Sequence, residues 1–342
     1  MNPAFASVEG ASDAPKLASL PIISIEPFLN PHAHGRLSAA AALHAACAEY
    51  GFFYLDISAF ADPSEPEELT RLAREFFALP QAEKDKISIA KEDHARGYQR
   101  LKENVTNGKA DNHEAIDLYR PVEEPDKTKP LWGENQWPAI PGFREKYERW
   151  IGKMKELGMI VMEAMATGLG LTPEEWADLR SKIDDSFWVM RIIGLFLYAD
   201  PTPGALQVFL DHPGLLVEKK DTLPPEQEVE EGGQWINADP IPGCIVCNIG
   251  EMWEIWTNGL YKSTLHRVVH RGSNYRIPFF FEPNFDARIE PLPTALRMQE
   301  EDRALRKLRG PEKTYQPVVY GDFLLQKVGT NFDTGKGRYD AE

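Results

Sequence analysis

Cysteine, basic residues and long apolar runs are all scarce in this sequence. Three cysteines in 342 residues are too few, and odd in number, for a disulfide framework. No stretch approaches the roughly 18 apolar residues of a membrane span, so we expect no membrane partner. With 53 acidic and 38 basic residues the formal net charge is -15, which repels phosphate backbones and makes nucleic acid an unexpected partner. The start of the chain has no basic segment followed by an apolar one, as a secretory signal would have, so we expect a cytoplasmic protein. We also expect it to be a monomer.

Two of the cysteines are spaced like metal ligands. Cys244 and Cys247 form a C-x-x-C pair, but they lie in an apolar run that predicts a strand. Residues three apart on a strand point to opposite faces, so these thiols would not converge on a metal ion. We expect them to act as small buried hydrophobic residues.

The spacing of apolar and turn residues divides the chain into a helix-containing half and a strand-rich half. Residues 1–20 are predicted to be a disordered tail. Residues 21–175 predict an α/β region that ends in a long helix over Pro141–Leu169. In residues 176–290, short apolar runs separated by turn residues predict an antiparallel sandwich or jelly roll. Residues 291–342 are predicted to form a C-terminal helical segment.

Four motifs of the strand-rich half occur in the order seen in a known enzyme family. They are Trp235-Ile-Asn-Ala-Asp-Pro-Ile-Pro-Gly, Asn248-Ile-Gly-Glu-Met, Trp256-Thr-Asn-Gly-Leu-Tyr-Lys-Ser-Thr-Leu-His-Arg-Val and Pro278-Phe-Phe-Phe-Glu-Pro-Asn. The first half agrees in Pro21-Ile-Ile-Ser-Ile, Glu49-Tyr-Gly-Phe-Phe-Tyr and Arg96-Gly-Tyr. Over residues 20–286 the chain therefore resembles the isopenicillin N synthase-like dioxygenases.

That resemblance implies a fold and a chemistry. The family's fold is a double-stranded β-helix, a jelly-roll variant that is mainly β with flanking helices. Its members are oxidoreductases that use Fe(II), 2-oxoglutarate and dioxygen to oxidise a small molecule. Two histidines and one carboxylate hold the iron and leave positions open for 2-oxoglutarate and dioxygen. The substrate does not follow from the fold, because one scaffold supports hydroxylation, desaturation and cyclisation.

Two site residues can be carried over from the motifs. His266 matches an iron-ligating histidine and is expected to face the barrel interior. Arg276, ten positions later and expected on the neighbouring strand, matches the arginine that binds the far carboxylate of 2-oxoglutarate. Counted back from Pro278, the arginine position falls on Asn274 instead. We prefer the count from the histidine, because only that count leaves a cation for the carboxylate.

Three further residues fall where the family lines its substrate pocket. They are Arg96, Tyr98 and Tyr119. For both tyrosines, packing in an aromatic core is an equal alternative.

The family's other two iron ligands are missing from the sequence. They come as H-x-D or H-x-E in an excursion that follows the strand matched by residues 189–194, but here Gly194 runs directly into Leu195. Ordinary strand lengths put the missing segment at roughly 15–25 residues. None of the eight histidines has Asp or Glu two positions later. We therefore expect an incomplete iron site and a less stable barrel.

The sequence leaves open whether other residues replace the missing iron ligands, and which of two origins the gap has. Asp211 and His212 are the nearest substitute pair, but adjacent residues of an extended chain face opposite sides. His113 lies in a segment that predicts a solvated polar turn. Either the chain is a shortened product of a gene for an active enzyme, or it is a pseudoenzyme retained for binding. The unusually long acidic stretch over 211–233, so close to the gap, favours the shortened product.

Overall fold

The computed structural model describes residues 19–103, 105–106, 109–110, 113–195, 205–211, 233–269, 274–306 and 314–331. Nearly all of the predicted tail, and residues 212–232 of the predicted acidic stretch, lie outside these ranges. Among the described residues, no helix has the length and apolar character that crossing a membrane requires.

The described strands are short, and the helices that flank them are longer. The strands are β1 (Ile22–Ser24), β2 (Phe52–Asp56), β3 (Gly97–Gln99), β4 (Val105–Thr106), β5 (Lys109–Ala110), β6 (Glu114–Tyr119), β7 (Val189–Leu195), β8 (Ala205–Asp211), β9 (Gly233–Ala238), β10 (Cys244–Asn248), β11 (His266–Val269), β12 (Asn274–Arg276), β13 (Phe279–Phe280), β14 (Arg288–Ile289) and β15 (Val318–Val319). The helices are α1 (Glu26–Leu29), α2 (Arg36–Glu49), α3 (Ser64–Phe77), α4 (Gln81–Lys84), α5 (Phe143–Leu169), α6 (Pro173–Ser181), α7 (Glu251–Trp256), α8 (Pro293–Arg306) and α9 (Tyr320–Asn331).

Glycines end α2 and α5. Gly51 follows α2 with φ +67°, and a Cβ placed there would lie 2.2 Å from the backbone oxygen of Lys262. Gly170 caps α5 in the left-handed conformation with φ +71°. Only glycine adopts positive φ without steric cost. The predicted end of the long helix at Leu169 is thus confirmed.

The largest described sheet has five strands. Its order is β12-β7-β6-β3, with β13 also paired to β7. β6 and β7 pair antiparallel along the whole of β6, from Glu114 opposite Gly194 to Tyr119 opposite Val189. Strands from the predicted regions 21–175 and 176–290 therefore share one sheet.

One face of this sheet packs against the helices α3 and α5. Ile116, Leu118, Met190 and Ile192 on that face are 0 % exposed and belong to the main hydrophobic core. Gly194 lies so close to α3 that a Cβ there would meet the Phe77 ring at 2.8 Å. Fully burying each large apolar side chain contributes about 1.5–3 kcal/mol, so this face fixes the sheet on the helical layer.

Two three-stranded sheets complete the strand-rich half. Their orders are β1-β2-β10 and β11-β8-β9. Phe52 and Tyr54 of β2 form a second, smaller core with Ile236 and Ala238 of β9, so the two sheets lie against each other. The chain runs from β7 of the five-stranded sheet through β8 and β9 of one three-stranded sheet to β10 of the other, and returns through β11 to β12. All of these strands pair antiparallel, as in the predicted jelly roll. The described strands do not close into a barrel.

Candidate active site on the open face of the five-stranded sheet

Polar side chains collect on the face of the five-stranded sheet that is turned away from the helices. Side chains alternate between the two faces of a strand. The pairing register therefore puts Gln99, Asp117, Arg191, Ile193 and Arg276 together on this face, which we call the open face. The Arg191 side chain is 22 % exposed, so ligands in solvent can reach it.

An ion pair and an amide form the centre of the open face. The Arg191 Nε–H donates to Asp117 Oδ1 at 2.7 Å, and the Gln99 side-chain amide donates to Asp117 Oδ2 at 2.6 Å. Asp117 is 2 % exposed and Gln99 1 % exposed. Burial raises the pKa of Asp117, while the Arg191 guanidinium opposes that shift. The carboxylate is thus held on both oxygens by donors of neighbouring strands.

Arg276 lies on the same face without a counter-charge among the described residues. It is partly buried and stands opposite Ile193 in the β12–β7 pair. No hydrogen bond or ion pair joins its guanidinium to another described side chain. Burial lowers the pKa of Arg276, because removing a cation from water disfavours its charged form. A carboxylate ligand would offset that cost through two parallel N–H···O bonds.

His266 begins β11 and lies against β2. Its ring packs edge-on against Phe52 with 5.2 Å between the ring centroids. Through Val208 it shares a face with Ile236, which is buried against β2. His266 is therefore on the inner side of its sheet, and it is solvent-exposed.

The tautomer of His266 follows from one backbone contact. Its Nδ1 lies 2.9 Å from the carbonyl oxygen of Thr264. A carbonyl oxygen only accepts hydrogen bonds, so Nδ1 carries a proton, and in the neutral ring Nε2 has the lone pair. This is the arrangement in which an imidazole serves as a metal ligand.

The structure corrects the predicted relation between His266 and Arg276. They were expected on neighbouring strands, but β11 pairs with β8 whereas β12 pairs with β7 in another sheet. Within the described ranges, no three His, Cys, Asp or Glu side chains lie close enough together to hold a metal ion. The described residues therefore do not fit an iron centre. Of the substitute pair considered above, His212 lies outside the described ranges.

Arg96 is a core residue in this structure. It is 0 % exposed, and its guanidinium donates to Asp93, to Asn135 and to the backbone oxygens of Tyr119, Arg120 and Leu131. These bonds tie β3 to the segments that follow β6. A side chain so enclosed is not placed to contact a substrate, which differs from the position expected from the resemblance.

The two tyrosines lie on opposite sides of the sheet. Tyr98 faces the helices, packs against Phe76 with ring centroids 5.7 Å apart, and donates its hydroxyl to Glu114 at 2.5 Å. Tyr119 falls on the side of the open face but is 5 % exposed, against Phe187 and the Arg96 guanidinium. The core-packing alternative therefore describes both residues in this structure.

Sequence reasoning missed Gln99, Asp117 and Arg191. The available signal was a charge inside an otherwise apolar strand, in Ala115-Ile-Asp-Leu-Tyr and in Val189-Met-Arg-Ile-Ile. Such charges are rarely buried unless paired. The sequence does not show, however, which residue pairs with which, because the register of β6 and β7 brings together Asp117 and Arg191, which are 74 positions apart.

Comparison with known proteins places the chain in a family. The N-terminal model of the non-haem dioxygenases in morphine synthesis matches residues 20–140, and the model of the 2OG-Fe(II) oxygenase superfamily matches residues 190–283. A homoarginine-6-hydroxylase of Oryza sativa subsp. japonica, 2-ODD-233, is 37% identical over 92% of this chain and 98% of its own length. Another homoarginine-6-hydroxylase, from Glycine max, is 38% identical over 93% and 99%.

A solved structure shows the same fold. A full-length Neurospora crassa protein, crystallised in complex with alpha-KG, superposes with a TM-score of 0.67 over 91% of this chain and 96% of its own, at 22% identity. The fold is thus that of the iron- and 2-oxoglutarate-dependent oxygenases. This chain belongs to the 2OG-Fe(II) oxygenase superfamily, whose cofactors are Fe(II) and 2-oxoglutarate and whose members oxidise small molecules with dioxygen. The family resemblance, the jelly-roll fold and the cofactor class predicted from the motifs are confirmed.

Proposed function

We propose that the open face binds 2-oxoglutarate through Arg276 and a small polar substrate beside it. The observation that carries this proposal is the partly buried guanidinium with no counter-charge among the described residues. A buried cation is costly unless an anion pairs with it. The far carboxylate of 2-oxoglutarate is such an anion, and an arginine matches its geometry with two N–H donors.

The substrate class we propose is a basic amino acid such as homoarginine. Two relatives of 37 % and 38 % identity, aligned over nearly their whole length, are homoarginine-6-hydroxylases. The polar open face supports the same class, because it offers charged groups to a charged ligand. One scaffold supports many chemistries, so the substrate has to be tested directly.

Oxidation by this chain requires, in our proposal, the segment that is absent between Gly194 and Leu195. His266 alone gives little affinity for iron, since a facial site needs three protein ligands. The chain with this sequence would then keep ligand binding and lack turnover. Both explanations of the gap, a shortened gene product and a pseudoenzyme, are compatible with this state.

The experiment compares the unmodified chain with a variant that carries a family-like H-x-D hairpin at the Gly194–Leu195 junction. The variant is expected to gain 2-oxoglutarate-dependent oxygen uptake, and His266→Ala or Arg276→Gln should abolish that gain. In the unmodified chain, an anaerobic calorimetric titration with Fe(II) or Mn(II) should show weak binding. Tight, stoichiometric metal binding that His266→Ala removes would contradict the proposal, because substitute ligands would then complete the site.

A non-catalytic binding protein on the same fold is the second candidate. It is favoured by the incomplete metal site among the described residues. It predicts that the hairpin variant binds 2-oxoglutarate without oxygen uptake.

We also propose a cytoplasmic monomer that does not bind nucleic acid. The net charge of -15 supports the absence of a nucleic-acid partner. The three unpaired thiols suit a reducing compartment. Sedimentation would test the monomer.

A further inference from the structure

A glutamate lies at the end of the open face that is farthest from Arg276. Glu282 follows β13, in which Phe280 pairs with Val189. The pairing continues beyond β13, because the carbonyl oxygen of Pro283 accepts a hydrogen bond from the backbone N–H of the residue two before Val189, at 2.9 Å. Glu282 is therefore held in an extended segment at the edge of the sheet.

The preceding side chain shows to which side Glu282 points. A Cβ placed on Gly158 of α5 would collide with the ring of Phe281, so Phe281 faces the helical layer. Consecutive residues of an extended chain point to opposite sides. Glu282 therefore points to the side of the open face, as Phe280 does two residues earlier.

Tyr320 lies beside this carboxylate. It begins α9, is 2 % exposed, and donates its backbone N–H to the carbonyl oxygen of Ala287 at 3.0 Å. Its hydroxyl interacts electrostatically with Glu282 and with Tyr119 on the side of the open face. That hydroxyl is buried and has no well-aligned hydrogen bond to a described protein group. We call the Glu282 carboxylate and the Tyr320 hydroxyl the acidic end of the open face.

The acidic end lacks a cation among the described residues. No Lys, Arg or His side chain within the described ranges forms an ion pair with Glu282. Burial raises the pKa of Glu282 to about 7, and the charge of Glu251 acts in the same direction, whereas the Tyr320 hydroxyl opposes the shift. Glutamate is rarely buried unless it is paired. A cationic ligand would supply the missing partner, and its N–H groups could also donate to the Tyr320 hydroxyl.

Apolar side chains lie next to the acidic end. Phe280 is 43 % exposed and stands opposite Val189, which is 8 % exposed. Arg276 stands opposite Ile193, four residues further along β7 and thus about 13 Å away at strand spacing. The ion pair at the centre of the open face lies between the two ends. The acidic end with its apolar neighbours therefore fits an alkyl chain that ends in a cation, apart from the place proposed for 2-oxoglutarate.

We propose that Glu282 binds the cationic end of the substrate, and that this end is a guanidinium at the tip of an alkyl chain. A guanidinium matches a carboxylate with two parallel N–H donors. The inference rests on the proposed function, in which the open face takes a basic amino acid. It adds the residue that selects a charged side chain over a neutral one of the same shape.

The experiment measures binding to the unmodified chain by calorimetry, without metal and in the presence of 2-oxoglutarate. The probes are L-homoarginine and L-homocitrulline, in which a neutral urea group replaces the guanidinium at the same chain length. The chain should bind L-homoarginine about tenfold to a hundredfold more tightly, which is the range for one hydrogen-bonded contact between charged groups.

Three variants separate recognition from folding. Glu282→Gln keeps the shape and removes the charge, so it should weaken L-homoarginine binding, leave L-homocitrulline binding unchanged and bring the ratio of the two affinities toward one. Glu282→Asp keeps the charge on a shorter side chain and should retain part of the preference. Glu290→Gln is the matched control, because Glu290 is exposed and pairs with Arg288. A merely structural role for Glu282 would change the binding of both ligands alike.

Two results would overturn the inference. In one, the unmodified chain binds L-homoarginine no more tightly than L-homocitrulline, or binds neither. In the other, the Glu282→Gln variant, with a melting temperature no lower than that of the unmodified chain, keeps the preference. Failure of the proposed function is recognised separately, as an affinity for 2-oxoglutarate that Arg276→Gln leaves unchanged. The preference between the two amino acids is measured under one condition and does not depend on that result.

Discussion

The enclosed guanidinium of Arg96 allows a direct test of whether this residue supports the fold or contacts the substrate. The substitution is Arg96→Lys, which keeps the positive charge and most of the side-chain length. The guanidinium donates five hydrogen bonds to buried or partly buried acceptors. An ammonium has three donors, so at least two of these hydrogen bonds are lost.

The structure sets the size of the effect. A hydrogen bond to a charged group contributes about 1.5–3 kcal/mol, so the loss of two predicts about 3–6 kcal/mol. The whole free energy of unfolding of a typical domain is about 5–15 kcal/mol. The variant should therefore unfold at a clearly lower urea concentration than the unmodified chain, and ligand affinity in the fraction that remains folded should not change.

Urea unfolding followed by tryptophan fluorescence measures this difference. Arg100→Lys is the control, because Arg100 makes an exposed ion pair with Asp85 on the other side of β3. An exposed pair contributes about 0–1 kcal/mol, so the control should unfold almost like the unmodified chain. The structural reasoning fails if Arg96→Lys leaves the urea midpoint unchanged and weakens ligand binding instead. That result would restore the substrate-pocket role expected from the resemblance.

Three further predictions concern stability. Gly51→Ala should destabilise the chain by more than about 1 kcal/mol in urea unfolding, because the new Cβ meets the Lys262 carbonyl at a positive φ; a neutral effect would contradict the tight turn after α2. Burial raises the pKa of Glu282 to about 7 from its usual 4.5. The folded state therefore binds an extra proton, and stability should fall as the pH rises from about 4.5 through 7. Urea unfolding midpoints measured at pH 5 and pH 7.5 check this. Glu282→Gln should reduce the difference between the two midpoints, and the exposed control Glu290→Gln should leave that difference unchanged. The assignment would be refuted if Glu282→Gln showed the same difference as the unmodified chain. The H-x-D hairpin inserted after Gly194 should raise the melting temperature, whereas a cooperative, high melting temperature of the unmodified chain that the insertion lowers would identify the gap as native.

Much of the fold follows from local patterns in the sequence. The apolar spacing over Pro141–Leu169 predicts the long helix that the structure shows as α5. The prediction missed α6, although Thr172 and Glu175 form a complete capping box at its start. It also missed α7, whose six residues are too few to show a helical period.

The candidate site was less accessible to sequence reasoning. Motifs point to His266 and Arg276 because each lies in a recognisable segment. Asp117 and Arg191 have no motif, and a single charge in an apolar strand does not name its partner. Their contact depends on the antiparallel register of β6 and β7. A shift of that register by one residue would turn one side chain to the opposite face.

The position of the gap decides which half of the site it affects. β7 keeps both ladder partners up to the junction, since Gly194 pairs with Glu114 of β6 and Leu195 with Asn274 of β12. The sheet that carries Arg191 and Arg276 therefore keeps its strand pairing where β7 reaches the gap. β8, the first described strand after the junction, pairs with β9 and β11 in the separate sheet that holds His266. Because the two proposed functions lie on different sheets, the loss of a segment between them, as we propose, would remove iron ligands and leave the arginine-bearing face paired. An inserted hairpin should accordingly increase amide protection in β8 and β11, and protection of the β7 amides, which already have partners on both sides, should stay as it is.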